Sequence, residues 1–404
     1  MAESIDIHGL GRRLDAARLA LRGTDSISER SVRLISDFAD HCESQGMSKG
    51  RVTKYIYLLR YIAGWAGKDL DRLEKRDVEE LVRGVENSDY APWSKQNFKV
   101  AIKRFYKWLG GNDEEYPPEV KWIKTTMKEK DRVLPHDLPT EDEIRKLIDA
   151  ANNPRDRAFI MTLYETGGRI GELGSLRVRD IVFKKDYASI ILKGKTGARR
   201  VPIVAAVPYL TLWIEHHPQK SDPDAPLWPK FSDGGPMTYP ALAKVLKVAA
   251  ERAGLKKRVS PHKLRHARAT FLANKLTEAQ MNVLFGWKQG SEMPSTYVHL
   301  SGRDIDGAIL GMYGLKKKEE GKPARFAPKE CLRCGQSNPA TYRFCSRCGM
   351  ALDMEAVMKV EKKRSEADDL MSRLLEYEEV QEMVKRKLAK LKSGVTRPSS
   401  PERQ

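Results

Sequence analysis

Seven residues, in one order along the middle of the chain, have side chains that could act together on a phosphodiester. They comprise two arginines, a glutamate, a lysine, a histidine, a tryptophan and a tyrosine: Arg169, Glu172, Lys195, His262, Arg265, Trp287 and Tyr297. Attack on a phosphodiester builds negative charge on the non-bridging oxygens, which fixed cationic donors stabilise. A guanidinium stays protonated and gives two parallel hydrogen bonds to two phosphate oxygens. We therefore expect Arg169 and Arg265 to hold one phosphate from both sides.

The attacking group in this set is a tyrosine. Tyr297 is a weak nucleophile at its ordinary pKa of about 10, so the cationic cradle and a base must help to remove its proton. His262 lies three residues before Arg265, which places both side chains on one face of a helix, within reach of the same oxygens. Glu172, one helical turn after Arg169, would accept hydrogen bonds that orient the arginine or the histidine.

A lysine in a glycine-flanked turn is the candidate acid for the leaving oxygen. A departing deoxyribose 5′-oxygen needs a proton, and Lys195 lies in a flexible turn between Gly194 and Gly197. Lys193 lies two residues earlier and could reach the same oxygen. We assign the role to Lys195 because it opens the tight Lys-Thr-Gly turn, and Lys193 remains the alternative.

The elements that must position these side chains are predicted to be mainly helical. A Ser-Pro pair at residues 260–261 is an N-cap and N1 pair, so a helix begins there and carries His262 and Arg265. Residues 187–192 and 200–204 predict a hairpin. The fold class is therefore mainly α with a small β-sheet (α+β). Taken singly, each candidate could be a solvated surface charge or a core aromatic, and only the ordered set favours a shared site.

Four stretches of sequence resemble the tyrosine recombinase (phage integrase) family, with its archaeal and viral integrases as the nearest likeness. They are Glu-Thr-Gly-Gly-Arg-Ile-Gly-Glu-Leu at 165–173, Lys-Thr-Gly-Ala-Arg-Arg-Val-Pro at 195–202, His-Lys-Leu-Arg-His at 262–266, and Phe-Gly-Trp at 285–287 followed by Tyr-Val-His at 297–299. The resemblance implies a helical core-binding domain followed by a catalytic domain.

The resemblance also implies how the reaction runs. Tyr297 would form a 3′-phosphotyrosine that a 5′-hydroxyl of another strand resolves, with no catalytic cofactor. Many family members have a second histidine where this chain has Trp287, a known family variant. An indole N–H can donate to a phosphate but cannot shuttle a proton, so the role of general base would fall more heavily on His262. A functional synapse would need four protomers, so a homo-oligomer on double-stranded DNA is expected.

Composition agrees with a nucleic-acid partner. The chain has 404 residues, a formal net charge of +18 and 40% hydrophobic residues, enough for two or three globular domains. Such a basic balance favours a polyanionic partner. We find no apolar stretch or secretory leader that would place it in a membrane, so a cytoplasmic, nucleoid-associated protein of a prokaryote is expected.

Composition shifts and helix signals divide the chain into segments. Their predicted bounds are 1–27 for an N-terminal segment, 28–112 for a helical core-binding (SAM-like) domain, 113–139 for a proline-containing linker, 140–315 for the catalytic domain, 328–352 for a zinc ribbon, 353–392 for a C-terminal helix and 393–404 for a disordered tail. Capping boxes at Thr140 with Glu143 and at Thr277 with Gln280 mark helix starts. Residues 304–315 would form a separable tail helix.

Two clusters of basic residues are candidate DNA contacts. One lies on the last helix of the N-terminal domain, which has no acidic residue between positions 93 and 110: Lys95, Lys99, Lys103, Arg104 and Lys107. One-signed charge of this kind favours contact with a DNA backbone over an ordinary solvated face. The other is Arg199 and Arg200 on the predicted hairpin, which could enter a groove.

Two Cys-x-x-Cys-Gly knuckles separated by ten residues predict a metal site. Cys331, Cys334, Cys345 and Cys348 have the spacing of a closed, structural zinc ribbon. Disulfides are the alternative, disfavoured in a cytoplasmic chain. Arginines beside the ribbon could contact DNA or protein, and Cys42 lies on an apolar face that indicates a core position.

After the ribbon, an approximate heptad pattern runs from Val360 to Leu391. It predicts a short coiled coil or a subunit-docking helix, or else an amphipathic helix packed on its own chain. For the whole protein we predict a site-specific DNA recombinase, the integrase of a prokaryotic mobile element. The alternatives are a type IB topoisomerase-like enzyme, a catalytically silent DNA-binding regulator and a zinc-ribbon transcription factor, the last of which leaves residues 140–315 unexplained.

Overall fold

The computed structural model describes residues 5–111, 114–126, 137–194, 197–291, 293–295, 297 and 325–392. The helices of this part of the chain are α1 Leu10–Arg22, α2 Glu29–Ser44, α3 Lys49–Ala66, α4 Lys75–Asn87, α5 Pro92–Leu109, α6 Pro118–Lys121, α7 Glu141–Asp149, α8 Pro154–Thr166, α9 Ile170–Gly174, α10 Val207–Glu215, α11 Tyr239–Arg252, α12 Pro261–Ala273, α13 Glu278–Phe285, α14 Met354–Leu374 and α15 Glu378–Lys392. The strands are β1 Ile181–Phe183, β2 Ala188–Gly194, β3 Gly197–Ile203, β4 Lys329–Glu330 and β5 Ser337–Asn338. The predicted fold class, helical with a small sheet, is confirmed.

The N-terminal half is a helical unit with its own core. Helices α1 to α5 pack together, and α1 lies against α3. Leu14, Ala17 and Leu21 of α1 are buried in this core, so the unit begins near residue 10 rather than at the predicted residue 28. Their spacing of three and four residues is typical of an amphipathic helix. The predicted domain boundary at residue 28 did not take it into account. Cys42 is buried in the same core, as predicted.

The predicted linker is partly a packed segment. Residues 114–126 include the short helix α6, and Val120 and Ile123 are buried in the helical core. Two apolar side chains over four residues are too short a pattern to predict a packed helix from sequence. The second half of the predicted linker, residues 127–136, lies outside the described residues.

The second core belongs to the half of the chain that begins at α7. Thr140 caps α7 with Glu143 in the predicted capping box. Helix α8 lies at the centre of this half and is buried along almost its whole length. Around it pack α7, α10, α12 and β3, and the large side chains of Trp213 and Trp228 fill the space between them.

A three-stranded antiparallel sheet of order β1-β2-β3 lies beside α8. The predicted hairpin is confirmed as β2 and β3, which pair from Ala188 with Ile203 to Gly194 with Gly197. The third strand, β1, has only three residues, and two of them are exposed, so no alternation was there to predict it. At the far end of β3, buried Glu165 accepts hydrogen bonds from the backbone N–H groups of residues 204–206 at 2.7 to 3.0 Å. This carboxylate ties α8 to the start of α10.

Residues before α1 join the two halves. Ile7 is buried in the second core, and its carbonyl accepts a hydrogen bond from the Tyr239 backbone N–H at 2.8 Å. The His8 ring stacks on the Tyr239 ring with 5.1 Å between centroids. A segment expected to be a separate N-terminal piece is therefore a strap across the half of the chain that begins at α7.

The C-terminal region contains a small knuckle fold and two helices. Strands β4 and β5 pair antiparallel beside the four ribbon cysteines. The predicted single helix over 353–392 is interrupted, because α14 ends at Leu374 and α15 begins at Glu378. No helix of the described residues is long and apolar enough to cross a membrane. The predicted tail helix at 304–315 and the predicted disordered tail at 393–404 lie outside the described residues.

Candidate active site

The turn between α8 and α9 presents the first arginine. Gly167 ends α8 with a φ of 56°, a left-handed conformation that favours glycine, and an added Cβ would lie 2.4 Å from Cε1 of Phe285. This close approach brings the α13 end of the chain against the turn. Arg169 follows as the N-cap residue of α9, with its side chain 45% exposed. Its guanidinium is therefore fixed at the protein surface and open to a ligand.

Glu172 is the anchor of the arginine cluster. The side chain is only 4% exposed, and its Oε1 accepts from Arg169 Nη1 at 2.9 Å while Oε2 accepts from the Arg169 backbone N–H at 3.0 Å. Burial alone would raise the pKa of Glu172, but hydrogen bonds from Arg199 and Arg169 outweigh it and hold the pKa below its ordinary value. The expectation that Glu172 orients Arg169 agrees with this geometry.

Arg199 lies in this cluster rather than on a DNA-facing surface. Its Nη1 and Nη2 donate to the two Glu172 oxygens at 3.1 and 2.7 Å, and its Nε donates to the Leu284 carbonyl at 2.9 Å. The Arg199 side chain is 9% exposed, so its guanidinium is buried in this cluster. We had expected it to enter a DNA groove. Successive residues of a strand face opposite sides of a sheet, and only Arg200 of the pair is exposed. That alternation could have separated the two arginines at the start.

The β2–β3 turn is held against the same carboxylate. A Cβ on Gly194 would lie 2.2 Å from Glu172 Oε1, so only glycine lets the strand approach this closely. Lys193 precedes it, is exposed and pairs across the hairpin with Ala198. Lys195 lies outside the described residues, directly after this contact.

Helix α12 presents the second arginine and the histidine. Ser260 caps the helix through the Lys263 N–H, as predicted. Arg265 is buried, and it donates from Nη1 to the Gly167 carbonyl at 2.7 Å and from Nη2 to the Phe285 carbonyl at 2.8 Å. Burial, followed by repulsion from Arg169, lowers the pKa of Arg265 to about 10. An anion at the two guanidiniums would relieve that repulsion.

His262 lies one turn before Arg265 on α12. More than a third of it is exposed, yet partial burial, then the charges of Arg265 and Arg169, lower its pKa. The histidine is therefore neutral near pH 7 and senses both guanidiniums. The predicted grouping of His262 with the two arginines agrees with this arrangement.

The tyrosine and the tryptophan form a stack. The Trp287 ring stacks on two other rings. Its centroid lies 4.8 Å from that of Phe285, with 18° between the ring planes, and 5.5 Å from that of Tyr297, with 5° between the planes. Tyr297 is 2% exposed, and burial raises its pKa to about 12 although Arg265 opposes the shift. The Arg265 guanidinium carbon lies 5.5 Å from the Trp287 ring centroid. The predicted catalytic residues that the structure describes thus lie close together in one region.

One histidine of this region was missing from the predicted set. His266 Nδ1 lies 2.5 Å from the Tyr297 hydroxyl oxygen, and its ring packs edge-on against His262 with 4.2 Å between centroids. Burial, then His262 and Arg265, lower the pKa of His266 to about 4. The signal was available, since residues four apart on a helix share a face.

The lysines predicted on α5 are largely engaged within the chain. Lys99 pairs with the Glu86 carboxylate at 2.6 Å, and Lys95 donates to the Glu86 carbonyl at 2.7 Å. Lys103 and Lys107 donate to carbonyls of residues 123 and 114 at 3.0 and 3.5 Å, while Arg104 is exposed. The surface of α5 is therefore less uniformly positive than its sequence indicates. Its acidic partner, Glu86, lies on α4, outside residues 93–110.

The four ribbon cysteines form a thiol cluster. Their sulfurs all lie within 4.8 Å of one another, with Cys331 to Cys348 at 3.5 Å and Cys334 to Cys345 at 3.7 Å. Each knuckle ends in a left-handed glycine, Gly335 with φ 67° or Gly349 with φ 71°. These glycine N–H groups donate to the carbonyls of the first cysteine of each knuckle at 2.8 and 2.9 Å.

The ribbon contacts the catalytic half directly. Tyr209 on α10 and Thr341 share a hydrogen bond of 2.9 Å between their hydroxyl oxygens. Phe326, just before the ribbon, is buried in the second core against Tyr164 with 5.7 Å between centroids. Arg343 pairs with Glu355 at 2.7 Å. The exposed tips carry Arg333 and Arg347.

Comparison of the sequence with known proteins finds tyrosine recombinases. Residues 139–303 match the phage integrase family. The tyrosine recombinase of Thermosipho africanus is 28% identical over 291 residues, covering 70% of this chain and 99% of that protein. Tyrosine recombinase XerA of Pyrococcus furiosus is 28% identical over 253 residues, covering 60% of this chain and 82% of that protein.

Solved structures share the fold. XerH site-specific recombinase bound to palindromic difH substrate superposes with a TM-score of 0.53 at 18% identity, covering 76% of this chain and 96% of that one. A lambda integrase tetramer bound to a Holliday junction superposes with a TM-score of 0.54 at 16% identity, covering 68% of this chain and 78% of that one. From the family match of residues 139–303 and the similarity to curated tyrosine recombinases, the chain carries a phage integrase family domain and is a tyrosine-type site-specific recombinase.

Proposed function

We propose that Arg169 and Arg265 hold the scissile phosphate and that Tyr297 attacks it to form a 3′-phosphotyrosine. The observation that carries this proposal is the convergence of two guanidiniums, two imidazoles and a stacked tyrosine from α9, α12 and residues 285–297. Repulsion between the two arginines makes the region a preformed anion site. His262 and the Trp287 indole supply further donors.

Two positioning roles complete the proposed site. Glu172 holds the Arg169 guanidinium in place through one ion pair, and Arg199 holds Glu172 in place through another. Lys195 is proposed as the acid for the 5′-oxygen because it opens the tight Lys-Thr-Gly turn and directly follows Gly194, which approaches Glu172 closely. Lys193 remains the alternative acid.

The test is covalent capture on DNA. End-labelled fragments from around the encoding gene are incubated in EDTA with the wild-type protein and with Tyr297→Phe, and are then separated in a denaturing gel. We expect a protein-DNA adduct with the wild type alone. An adduct of equal yield with Tyr297→Phe would remove the tyrosine from the proposal, and no adduct even with a nicked suicide substrate would favour a silent regulator.

We propose double-stranded DNA as the partner, with four protomers on two duplexes at synapsis. The similar XerH structure is bound to a palindromic difH substrate, and the similar lambda integrase structure is a tetramer bound to a Holliday junction. The helical unit built from α1 to α6 is proposed as the core-binding domain. Exposed Arg104 on α5 and exposed Arg200 on β3 are proposed to contact DNA. The lysines of α5 are proposed to do so as well, by exchanging their hydrogen bonds to backbone carbonyls for contacts to DNA phosphates.

The chain is further proposed to be the integrase of a prokaryotic mobile element, similar to archaeal and viral integrases and acting in the cytoplasm at the nucleoid. The support is the resemblance of residues 165–173, 195–202, 262–266 and 285–299 to that family, together with the similarity to tyrosine recombinase XerA of two Pyrococcus species. The match to tyrosine recombinases over most of the relatives' length does not favour the topoisomerase or regulator alternatives. Strand exchange between two labelled duplexes, as opposed to relaxation of one plasmid, distinguishes recombinase from topoisomerase.

We propose that the four thiolates hold a structural Zn²⁺. Zinc bonds of about 2.3 Å in a tetrahedron separate sulfurs by about 3.8 Å, close to the 3.5 and 3.7 Å between the two cross-knuckle pairs. Buried Asn338 donates to Cys345 Sγ at 3.6 Å and so orients a ligand. We expect one equivalent of zinc by metal analysis, and its loss in Cys345→Ser. A metal-free protein with unchanged melting would contradict the site.

A further inference from the structure

We propose that His266 is a catalytic residue whose Nδ1 accepts the phenolic proton of Tyr297 as the tyrosine attacks phosphorus. This inference rests on the proposed function, in which Tyr297 is the nucleophile. Resemblance to the family assigned the role of base to His262, and His266 held no role in that assignment.

The contacts divide the two histidines between two tasks. His266 Nδ1 is the imidazole nitrogen at hydrogen-bond distance from the Tyr297 hydroxyl, at 2.5 Å. The Trp287 ring lies parallel to the phenol at 5.5 Å and fixes its plane, so the oxygen is directed at that nitrogen. His262 packs on the other side of His266 and responds to the charges of Arg265 and Arg169. His262 therefore belongs with the phosphate, and His266 belongs with the nucleophile.

The resting protonation states keep the nucleophile inactive. With a pKa of about 12 for Tyr297 and about 4 for His266, the proton stays on the phenol and the imidazole is a neutral acceptor. The groups that face His266 are His262, Arg265 and Tyr297. Burial, followed by His262 and Arg265, lowers the pKa of His266, and a phosphodiester at the arginines would offset the contribution of Arg265. The phenol becomes far more acidic once its oxygen begins to bond to phosphorus, and the imidazole is then the adjacent base.

The step balances without another reactant. The bond from Tyr297 Oη to phosphorus forms, the bond from phosphorus to the 5′-oxygen breaks, and the phenolic proton moves to His266 Nδ1. The leaving 5′-oxygen takes its proton from the acid proposed at Lys195. In rejoining, a 5′-hydroxyl attacks the phosphotyrosine and gives its proton to the deprotonated acid proposed at Lys195, and the His266 imidazolium returns its proton to the departing phenolate.

Two substitutions separate proton acceptance from simple positioning. His266→Asn places an amide oxygen near the Nδ1 position, which still accepts a hydrogen bond but cannot take the proton. His266→Phe keeps a ring to pack against His262 and lacks the acceptor. We expect both to slow single-turnover cleavage of a nicked suicide substrate by about 100-fold or more, the range of general base catalysis. DNA affinity and melting temperature should match the wild type, as they should for the surface control His216→Asn, and the Asn variant carries the test if Phe unfolds.

A modified substrate gives a second, independent readout. A 5′-bridging sulfur leaves as a thiolate that needs no proton, so it bypasses the general acid and not the base. We expect it to restore cleavage by Lys195→Ala and to leave His266→Asn slow. Cleavage by His266→Asn within about threefold of the wild type, or its rescue by the sulfur substrate, would overturn the inference. Adduct formation by the wild type and its absence in Tyr297→Phe would still support the proposed function in that case.

Discussion

At the scale of single residues, the site depends on one buried carboxylate. Glu172 receives donors from two arginines, and one of them, Arg199, is itself buried. Removing one member of a buried ion pair leaves an uncompensated charge, which is far costlier than losing a pair on the surface. The residue that holds the site in shape therefore also contributes to the stability of the catalytic half.

We predict that Glu172→Ala lowers the free energy of unfolding by about 3 to 5 kcal/mol, because Arg199 loses its partner while buried. Denaturant unfolding measures the change. The matched control is Glu251→Ala, which removes an exposed pair with Lys247 at 3.8 Å and should cost under about 1 kcal/mol. Similar costs for both substitutions would contradict the buried clamp.

The histidine pair predicts a dependence of stability on pH. The pKa of His266 is lowered in the folded state to about 4, from an ordinary value of 6.5. Between these values the unfolded chain binds more protons than the folded one, so stability rises with pH across this window and is lost as the pH falls through it. We expect the wild type to lose more unfolding free energy from pH 7 to pH 5 than His266→Phe does. An equal loss in both proteins would assign the acid sensitivity elsewhere.

At the scale of elements, the C-terminal helices differ most from their prediction. Of the two alternatives, packing on the same chain finds little support, because only Ala356 of α14 is buried. Leu370, Met371 and Tyr377 are 61%, 54% and 67% exposed. The heptad signal was real in the sequence, yet α14 and α15 are separate helices. The start of this region makes ion pairs with the ribbon, through Asp353 with Lys329 and Glu355 with Arg343.

Because these helices bury so little, we predict that removing residues 358–404 shifts the melting temperature by less than about 2 °C. The truncation keeps Asp353 and Ala356, so the ribbon retains its ion pairs. Differential scanning calorimetry on full-length and truncated protein makes the comparison. A drop of more than about 5 °C would mean that the helices stabilise the fold after all.

At the scale of the whole molecule, the strap at residues 5–9 links the helical unit to the catalytic half. Ile7 is 3% exposed, and an added Cβ on Gly174 would lie 2.6 Å from its Cδ1. A residue near the start of the chain thus completes the core beneath α9, the helix that carries Glu172.

We predict that Ile7→Ala destabilises the catalytic half by about 2 to 5 kcal/mol, the usual cost of deleting a buried isoleucine side chain. Leu19→Ala is the control, since Leu19 on α1 is 74% exposed. Hydrogen exchange followed by mass spectrometry should show faster exchange in α9 and α11 for Ile7→Ala alone. Exchange confined to residues 5–22 would show that the strap is dispensable for the second core.

Residue type and local spacing were enough to predict the candidate catalytic residues and the helices that carry them. Arg169, His262, Arg265, Trp287 and Tyr297 were predicted from residue type and order, and the caps at residues 140, 260 and 277 lie where predicted. These features depend on local spacing, because helix faces and caps are set by residues three or four apart. The cysteine cluster was predicted for the same reason.

Which partner each of these side chains contacts could not be predicted from local spacing, because it depends on how distant segments pack. Arg199 and Arg200 are adjacent in sequence, but the register of β3 turns one toward Glu172 and leaves the other exposed. His266 acquires a partner 31 residues away, and Ile7 joins a core whose other members begin at Ile144. Such contacts depend on how distant segments pack, and packing free energy is shared over many residues rather than encoded in any local pattern.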